Sequence, residues 1–308
     1  MMKIIGPDYL VFGVDDVEGC RQFLLDYGLQ EESNHYYSAL DGTGIVLRER
    51  NDASLPAAIE SGSQLRETVY GVADEVTLEN IATELRKDRE VSVDDDGVLH
   101  CFDDMGFALG FRITQRKAIS LTAEKVNAPG DEYCRPINHT GASERMSAQP
   151  RSLSHVVYFV PDAARAEAFY SRLGFVCTDR FTHVGPFLRP GGTLDHHTLF
   201  LIQAPPFMTG IEHFTFHLGG PTELMMAGTR FIQKGYQSFW GPGRHQLGSN
   251  WFWYFNSPFG CHIEYDADMD LHDDDWKPRE SMPGADNSQY FLLTSREKWA
   301  PGPDDAHA

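Results

Sequence analysis

An internal duplication constrains this chain more than any other feature of its sequence. Three landmarks of a strand–helix unit recur at one constant offset of 146 residues: Asp16 with Asp162, Phe23 with Phe169, and Gly28 with Gly174. In both copies the aspartate can cap a helix, the phenylalanine can anchor it to a core, and the glycine can end it. Such a repeat predicts that the chain folds as two similar halves.

Each half contains two units with the same order of elements: a strand, a helix, and then two or three strands. The predicted opening strands lie at residues 8–14, 67–72, 154–160 and 211–217. These patterns predict an α+β chain of four βαβββ modules, paired into two similar domains.

Residues 117–152 lose this periodicity and are rich in turn formers, which predicts a linker between the halves. We therefore expect an N-terminal domain at 1–120, a linker at 121–150, a C-terminal domain at 151–270 and a tail at 271–308. The tail begins acidic and becomes proline-rich. Its aromatic residues indicate that it docks partly onto the body: Trp276, Tyr290, Phe291 and Trp299.

Charge and composition argue against several classes of function. The formal charge of −19 disfavours binding to nucleic acids and to anionic membranes, because both rely on Lys and Arg. No apolar run approaches the roughly 20 residues of a membrane span, and the first residues lack a signal-peptide pattern. The five cysteines are scattered without a CxxC pair, so we expect a reduced, cytoplasmic protein.

The histidines are distributed unevenly between the halves. Only two of the thirteen fall in the first 120 residues, whereas ten lie between positions 139 and 272. At matching positions of the repeat, the second half has His155 where the first has Tyr9, and Glu264 where the first has Gly110. The second half is therefore expected to hold the functional site, with the first half as a scaffold.

His155, His213 and Glu264 fall on three separate predicted strands of the second half. A lone strand histidine is more often structural than a ligand, but three ligand-type residues at equivalent positions of a repeated frame favour metal binding. Two histidines and one carboxylate form the facial triad of non-haem Fe(II) oxygenases, which leaves coordination positions open for substrate and oxygen.

The stretch from Gly243 to Tyr265 predicts a strand, a turn at residues 256–260, and a second strand. In this hairpin Tyr254 lies roughly opposite Glu264 as a cross-strand pair. A carboxylate, a phenol and the imidazole of His245 then share one region, which is an unusual composition for a core.

This half resembles the type I extradiol ring-cleaving dioxygenases of the vicinal oxygen chelate superfamily. The signature of that family is matched by Gly243-Arg-His245, Tyr254, Pro258-Phe-Gly260 and Glu264. Two positions depart from it, Trp253 in place of an aliphatic residue or Phe, and Ser257 in place of Asp or Asn. The resemblance implies two domains, each an incomplete β-barrel with flanking helices, of which only the second binds metal.

The resemblance also implies roles for particular residues. His155, His213 and Glu264 would bind Fe(II), with Mn(II) as an alternative, while His197, His245 and Tyr254 would be catalytic. The choice between His196 and His197 stays open, because adjacent strand residues face opposite ways, and His197 is favoured. The implied substrates are a catechol and O2, the implied reaction is meta cleavage of the ring, and family habit suggests a homo-oligomer.

Two other functions compete with this interpretation. One is a glyoxalase- or epimerase-like metal enzyme, and the other is a non-enzymatic protein that binds aromatic ligands. Several residues have weaker predicted roles. Phe187, Phe207, Trp251 and Phe252 are candidates for the pocket wall, Arg180, Arg189 and Arg244 for a carboxylate contact, and His217 and His262 for structural or pocket-lining positions, whereas His183 has no predicted role.

Overall fold

Two β-sheets with helices packed against them form the body of the protein. The computed structural model describes residues 2–293, except residues 33–34, 60–63, 131, 144–145 and 147. One sheet has eight strands and is built from the first half, and the other has ten strands and is built from the second half. Both sheets are open, and the predicted α+β class is confirmed.

The first half forms two βαβββ modules. Module one contains β1 (Ile4–Val14), α1 (Val17–Tyr27), β2 (Gln30–Glu31), β3 (Tyr36–Ser38) and β4 (Gly44–Glu49). Module two contains β5 (Leu65–Val72), α2 (Glu75–Leu85), β6 (Ser92–Val93), β7 (Leu99–Phe102) and β8 (Ala108–Ile113). The strand order β2-β3-β4-β1-β5-β8-β7-β6 places the two modules back to back, joined through the antiparallel pair β1–β5.

The second half repeats this plan with extra strands at its edges. Module three contains β9 (Ser152–Val160), α3 (Ala163–Arg172), β10 (Phe175–Phe181), β11 (Gly185–Pro190) and β12 (Leu199–Gln203). Module four contains β13 (Gly210–His217), α4 (Pro221–Gln233), β14 (Ser238–His245), β15 (Trp251–Asn256) and β16 (His262–Ala267). The tail contains β17 (Arg279–Ser281), α5 (Ala285–Ser288) and β18 (Gln289–Leu292). The strand order of the second sheet is β17-β10-β11-β12-β9-β13-β16-β15-β14-β18.

The duplicated landmarks have the roles that the sequence predicted. The side chains of Asp16 and Asp162 cap α1 and α3 by accepting hydrogen bonds from backbone N–H groups of the first turn. Gly28 and Gly174 follow these helices at positive φ angles of 113° and 91°, where a side chain would be strained.

The strand register shows that the two halves are equivalent residue by residue. In the first sheet Val69 pairs with Tyr9 on one side and Gly110 on the other. In the second sheet Thr215 pairs in the same way with two of the predicted ligands, His155 and Glu264.

The hydrophobic core is shared between the halves. Phe12 of β1 packs against Phe214 of β13 with a ring-centroid distance of 5.3 Å, and Phe107 stacks on Tyr158 at 4.2 Å. Because strand side chains alternate, one face of the second sheet packs on this core and the other faces away from it. The predicted ligands lie on the face turned away from the core.

Between Ile113 and Ser152 the described residues form no helix or strand. Part of this segment packs on the second half, since the Glu124 carboxylate accepts a hydrogen bond from the backbone N–H of Thr222 at 2.9 Å. The tail adds β17 and β18 to opposite edges of the second sheet, so it docks as predicted, although Trp299 lies outside the described residues. Within the described ranges, no helix has the length and apolar character that crossing a membrane requires.

Candidate metal centre

His155, His213 and Glu264 meet in a buried cluster on the face of the second sheet that is turned away from the shared core. The Nε2 atoms of the two histidines are 3.4 Å apart, and Glu264 Oε2 lies 3.2 Å from His155 Nε2 and 3.5 Å from His213 Nε2. The three ligand atoms therefore form a nearly equilateral triangle.

Three adjacent strands bring these residues together. β13 lies between β9 and β16, pairing antiparallel with the first and parallel with the second. At its centre the Thr215 hydroxyl donates to Glu264 Oε2 at 2.6 Å and lies 3.0 Å from His155 Nε2.

The donor atoms fit a divalent metal ion. Bonds of about 2.1 Å at right angles place neighbouring ligand atoms ~3 Å apart, close to the triangle in this cluster. Ser154 donates to Asp266, so its oxygen accepts from His155 Nδ1, and His213 Nδ1 donates to the Glu212 carboxylate. Nδ1 is thus the donor nitrogen of both rings, and Nε2 is the nitrogen that each would offer to a metal ion, as metal ligands supported by outer hydrogen bonds do.

Glu264 is the fully buried anion of the cluster. Its Oε1 has no hydrogen-bond partner among the described residues, which is costly for a carboxylate unless a cation satisfies it. Burial alone would raise the pKa of this carboxyl, but the imidazoles of His155 and His245 outweigh that effect and hold the pKa below its usual range.

Burial and charge act differently on the two ligand histidines. Burial lowers the pKa of His155 despite the neighbouring carboxylate of Glu264. Burial also opposes protonation of His213, but the adjacent Glu212 carboxylate outweighs it and raises the pKa.

Tyr254 and His245 form a pair beside the cluster. Tyr254 lies directly opposite Glu264 in the β15–β16 ladder, which confirms the predicted hairpin register. Its ring packs edge-on against His213 at 4.9 Å, and its hydroxyl lies 3.2 Å from His245 Nε2. Burial raises the pKa of Tyr254 well above its usual value, and the Glu264 charge adds to this effect.

The structure places His197, rather than His196, beside the cluster. The ring of His197 lies 4.2 Å from that of His155 and forms part of the cavity wall. His196 points away into the protein, where its Nε2 contacts the Asp179 carboxylate at 2.8 Å. Burial, reinforced by the neighbouring histidines, lowers the pKa of His197 well below its usual value.

A cavity of about 300 Å³ opens above the cluster. The members of its wall are mostly apolar or aromatic, and no Arg or Lys is among its described residues. The side chains that give it this character are Val157, Phe159, Phe181, Phe187, Phe200, Ile202, Phe239, Trp240 and Leu247. A flat, apolar ring suits such a wall, and the cavity is large enough for a small molecule.

Residues 152–265, which span β9 to β16 and contain the whole cluster, match the family model described as the Glyoxalase/Bleomycin resistance protein/Dioxygenase superfamily. This half of the chain is therefore similar to the proteins that the model describes. The predicted vicinal oxygen chelate relationship is therefore confirmed for that half.

Individual proteins with a similar sequence or fold have also been identified. Metapyrocatechase 2 of Cupriavidus necator is 34% identical over 162 residues, which are 51% of this chain and 50% of that protein. The match thus spans about half the length of this curated relative.

Two solved structures share the fold along almost the whole chain. A Mn(II)-bound glyoxalase from Novosphingobium aromaticivorans has a TM-score of 0.71 at 19% identity, covering 94% of this chain and 91% of its own. A halotolerant catechol dioxygenase has a TM-score of 0.72 at 17% identity, covering 95% of both chains. At these identities the likeness shows the fold alone, and the shared fold extends over both halves of the chain.

Some predicted cavity residues lie elsewhere in the second half of the protein. Phe187 is part of the wall, but the prediction was wrong for three other aromatic residues. Phe207 is 77% exposed in the short 3₁₀ helix Pro206–Met208, and Phe252 is buried behind the wall, where it stacks on His245. Trp251 packs against Phe291 of the tail. Alternation along a strand could not place these side chains, because the wall is assembled from several strands.

The three candidate arginines also lie outside the cavity wall. Arg180 pairs with Glu167, and Arg244 pairs with Asp268. Arg189 is buried, where it donates to the carbonyl oxygen of Asp273. They therefore have structural partners of their own.

Other polar residues near the site were missed from the sequence. Glu212 lines the cavity and joins His213 to His262, which is thereby a supporting residue. Asn250 also lines the cavity, and its buried side-chain amide has no hydrogen-bond partner among the described residues. His217, which the sequence predicted as structural or pocket-lining, has its Nδ1 2.7 Å from the buried Asp266 carboxylate, behind His155.

Proposed function

We propose that the protein cleaves the ring of a catecholic compound with O2 in the extradiol position, at an Fe(II) ion held by His155, His213 and Glu264. The observation that carries this proposal is the buried triangle of two imidazoles and one carboxylate at the base of an apolar cavity. The similarity to Metapyrocatechase 2 of Cupriavidus necator over 162 residues supports it.

The metal would supply Lewis acidity that lowers the pKa of a catechol hydroxyl, and a path for electrons between diol and O2. The residues around it would orient the diol and exchange protons with it. The Tyr254 hydroxyl and His245 Nε2 form a hydrogen-bonded pair that can orient a hydroxyl group and accept its proton. His197 faces the same cavity and can exchange a proton on the side nearest His155.

We infer that the substrate is an uncharged catechol with an apolar substituent. The described cavity residues include no cation that could pair with a carboxylate, and Glu212 adds a negative charge to the wall. A carboxylated ring would lose its hydration there without gaining a counter-charge, which is unfavourable. Aromatic side chains from several strands would instead pack against an alkyl or aryl group.

The choice of Fe(II) over Mn(II) is part of the proposal, because two imidazoles and a carboxylate suit both ions. A solved relative with the same fold, the glyoxalase of Novosphingobium aromaticivorans, is described as Mn(II)-bound. A homo-oligomeric state and a cytoplasmic location remain predictions from the sequence.

Oxygen uptake tests the proposal. Protein loaded anaerobically with Fe(II) or Mn(II) would be mixed with alkyl-, aryl- and carboxyl-substituted catechols. We expect uptake and a yellow product with the uncharged catechols, and kcat/KM at least tenfold lower with the carboxylated ones, equal to about 1.4 kcal/mol. The His213→Ala variant should lose both metal and uptake. No uptake across the panel would refute the proposal.

A further inference from the structure

We propose that the tail segment, residues 276–289, is a positioning element that keeps His197 and His245 protonated on Nδ1. Each histidine then presents an unprotonated Nε2 to the cavity. The proposal rests on the proposed function for its chemical meaning, but the contacts that carry it are independent of the substrate.

The first arm of this element connects Arg279 to His197 through two buried residues, Asp179 and His196. Asp179 of β10 and Arg279 of β17 are paired, because the backbone N–H and the guanidinium of Arg279 both donate to the Asp179 carboxylate at 2.5–3.1 Å. The other side of this carboxylate lies 2.8 Å from His196 Nε2. Asp179 and His196 are both completely buried.

The hydrogen-bond rules decide where the protons lie along this arm. An ionised carboxylate only accepts, so His196 Nε2 must carry a proton that it donates to Asp179. The Arg279 guanidinium already balances the Asp179 charge, and a second buried cation at His196 would lack a counter-ion. His196 is therefore neutral, and its Nδ1 is an acceptor.

His197 then has only one possible arrangement. Its Nδ1 lies 2.9 Å from His196 Nδ1 and must donate to that acceptor. A neutral His197 with its proton on Nδ1 has an unprotonated Nε2, which is the nitrogen left to face the cavity.

The second arm fixes His245. Its Nδ1 lies 3.0 Å from the backbone carbonyl oxygen of Ser288 in α5. A carbonyl can only accept, so His245 Nδ1 carries a proton. His245 Nε2 lies 3.6 Å from Glu264 Oε1, beyond hydrogen-bond distance, and a metal ion bound to that carboxylate would disfavour a second proton on the ring. Its Nε2 accepts from the Tyr254 hydroxyl, which lies 3.2 Å away.

Both arms begin in the tail segment, and each leaves a histidine with an unprotonated Nε2, one on each of two sides of the cavity. A catechol has two hydroxyl protons, and the cavity offers two imidazole nitrogens that can accept protons. The tail segment is anchored at the edge of β10 by Trp276, whose indole N–H donates to the Thr178 carbonyl oxygen at 2.9 Å. It is thus built into the second sheet.

The tautomers can be read directly by long-range ¹H–¹⁵N NMR of the full chain loaded with Zn(II), which is diamagnetic. We expect the Nδ1-protonated form for both His197 and His245. In the isosteric variant Asp179→Asn, the amide N–H can donate to His196 Nε2, which moves the proton of His196 to Nδ1 and that of His197 to Nε2. His245 should keep its tautomer in the same sample as an internal control.

Kinetics supply the second readout. A misplaced proton on His197 should lower kcat on the order of 10²-fold with Fe(II), while KM and metal content stay unchanged. The matched control is Asp94→Asn, which alters a similar carboxylate–histidine pair, Asp94 with His100, in the first half. This control should leave kcat unchanged.

The outcomes separate this proposal from the proposed function. An Nε2-protonated His197 or His245 in the unaltered protein overturns it, even if catechols are cleaved. If Asp179→Asn does not fold, the tautomers of the unaltered protein still decide. Expected tautomers in a protein that cleaves no catechol support the positioning role and refute only the reaction.

Discussion

Tyr254 links the metal cluster to the proton-accepting residues. Its ring packs edge-on against His213, and its hydroxyl contacts His245 at 3.2 Å. Strand alternation and the turn signal at residues 256–260 were enough to predict its position opposite Glu264. They could not predict Glu212, because a β-bulge between Ile211 and His213 changes the direction of its side chain.

Replacing Tyr254 by Phe removes this hydroxyl and keeps the buried ring. We expect kcat for catechol cleavage to fall roughly 10- to 100-fold, because His245 loses the hydroxyl group with which it forms the proton-accepting pair. Iron content, measured on the purified protein, should stay the same because Tyr254 is not a ligand. Steady-state oxygen uptake is the assay.

Tyr70→Phe is the matched control for this variant. The Tyr70 hydroxyl is buried in the first half and has no hydrogen-bond partner among the described residues, so its removal should leave kcat unchanged. An undiminished kcat in Tyr254→Phe would contradict the role given to the hydroxyl.

The helix α4 and the strand β15 explain one departure from the family signature. Trp253 packs directly on Gly228 of α4, where an added Cβ would lie 2.2 Å from Trp253 Cε3. Its indole N–H also donates to the Ser238 hydroxyl at 2.9 Å. The large residue thus fits because the helix has no side chain there, a correspondence between distant positions that a single sequence does not show.

Gly228→Ala should therefore destabilise the protein, although Ala is favoured over Gly within helices. We expect a loss of about 1–3 kcal/mol in the free energy of unfolding, because the added methyl group overpacks the contact with Trp253. Thr229→Ala, on the exposed face of the same helix, should change it by less than about 0.5 kcal/mol.

Urea unfolding of both variants measures this effect. Adding Trp253→Leu to Gly228→Ala should cost less than the sum of the two single substitutions, since the residues are in contact. Strictly additive losses would contradict the packing argument.

The first half of the protein contacts and supports the strand that carries Glu264 in the second half. The Tyr27 hydroxyl donates to the backbone carbonyl oxygen of Glu264 at 2.5 Å, and its ring stacks on Tyr265 with a centroid distance of 4.0 Å. The repeat in the sequence predicted a scaffold half from Tyr9 and Gly110. It could not predict these contacts, because they join residues more than 200 positions apart.

A buried carboxyl group at the contact between the halves makes stability depend on pH. Burial raises the pKa of Asp103 to about 6, and its carboxylate accepts a hydrogen bond from Tyr170 of α3 at 3.2 Å. The folded pKa lies above the unfolded value of about 3.9, so the folded state holds the proton more tightly. The stabilisation that comes from protonated Asp103 is fully present below about pH 4 and is lost as the pH rises to about 6.

Asp103→Asn should remove this loss of folding stability at neutral pH. We expect the free energy of unfolding to rise by roughly 1–3 kcal/mol at pH 7 and to change little at pH 4. Thermal unfolding at both pH values is the measurement, with exposed Asp95→Asn as the control that should show no such difference. An equal effect of Asp103→Asn at the two pH values would contradict the assignment.

Entry of O2 into a catechol ring at the His155–His213–Glu264 centre can be followed with ¹⁸O₂. The product formed by the Fe(II)-loaded protein would be analysed by mass spectrometry. The proposed reaction predicts that both oxygen atoms are incorporated into a ring-opened semialdehyde or related acid cleaved beside the diol, and that Glu264→Gln forms none. An unlabelled product, or one cleaved between the two hydroxyl-bearing carbons, would contradict the proposed reaction.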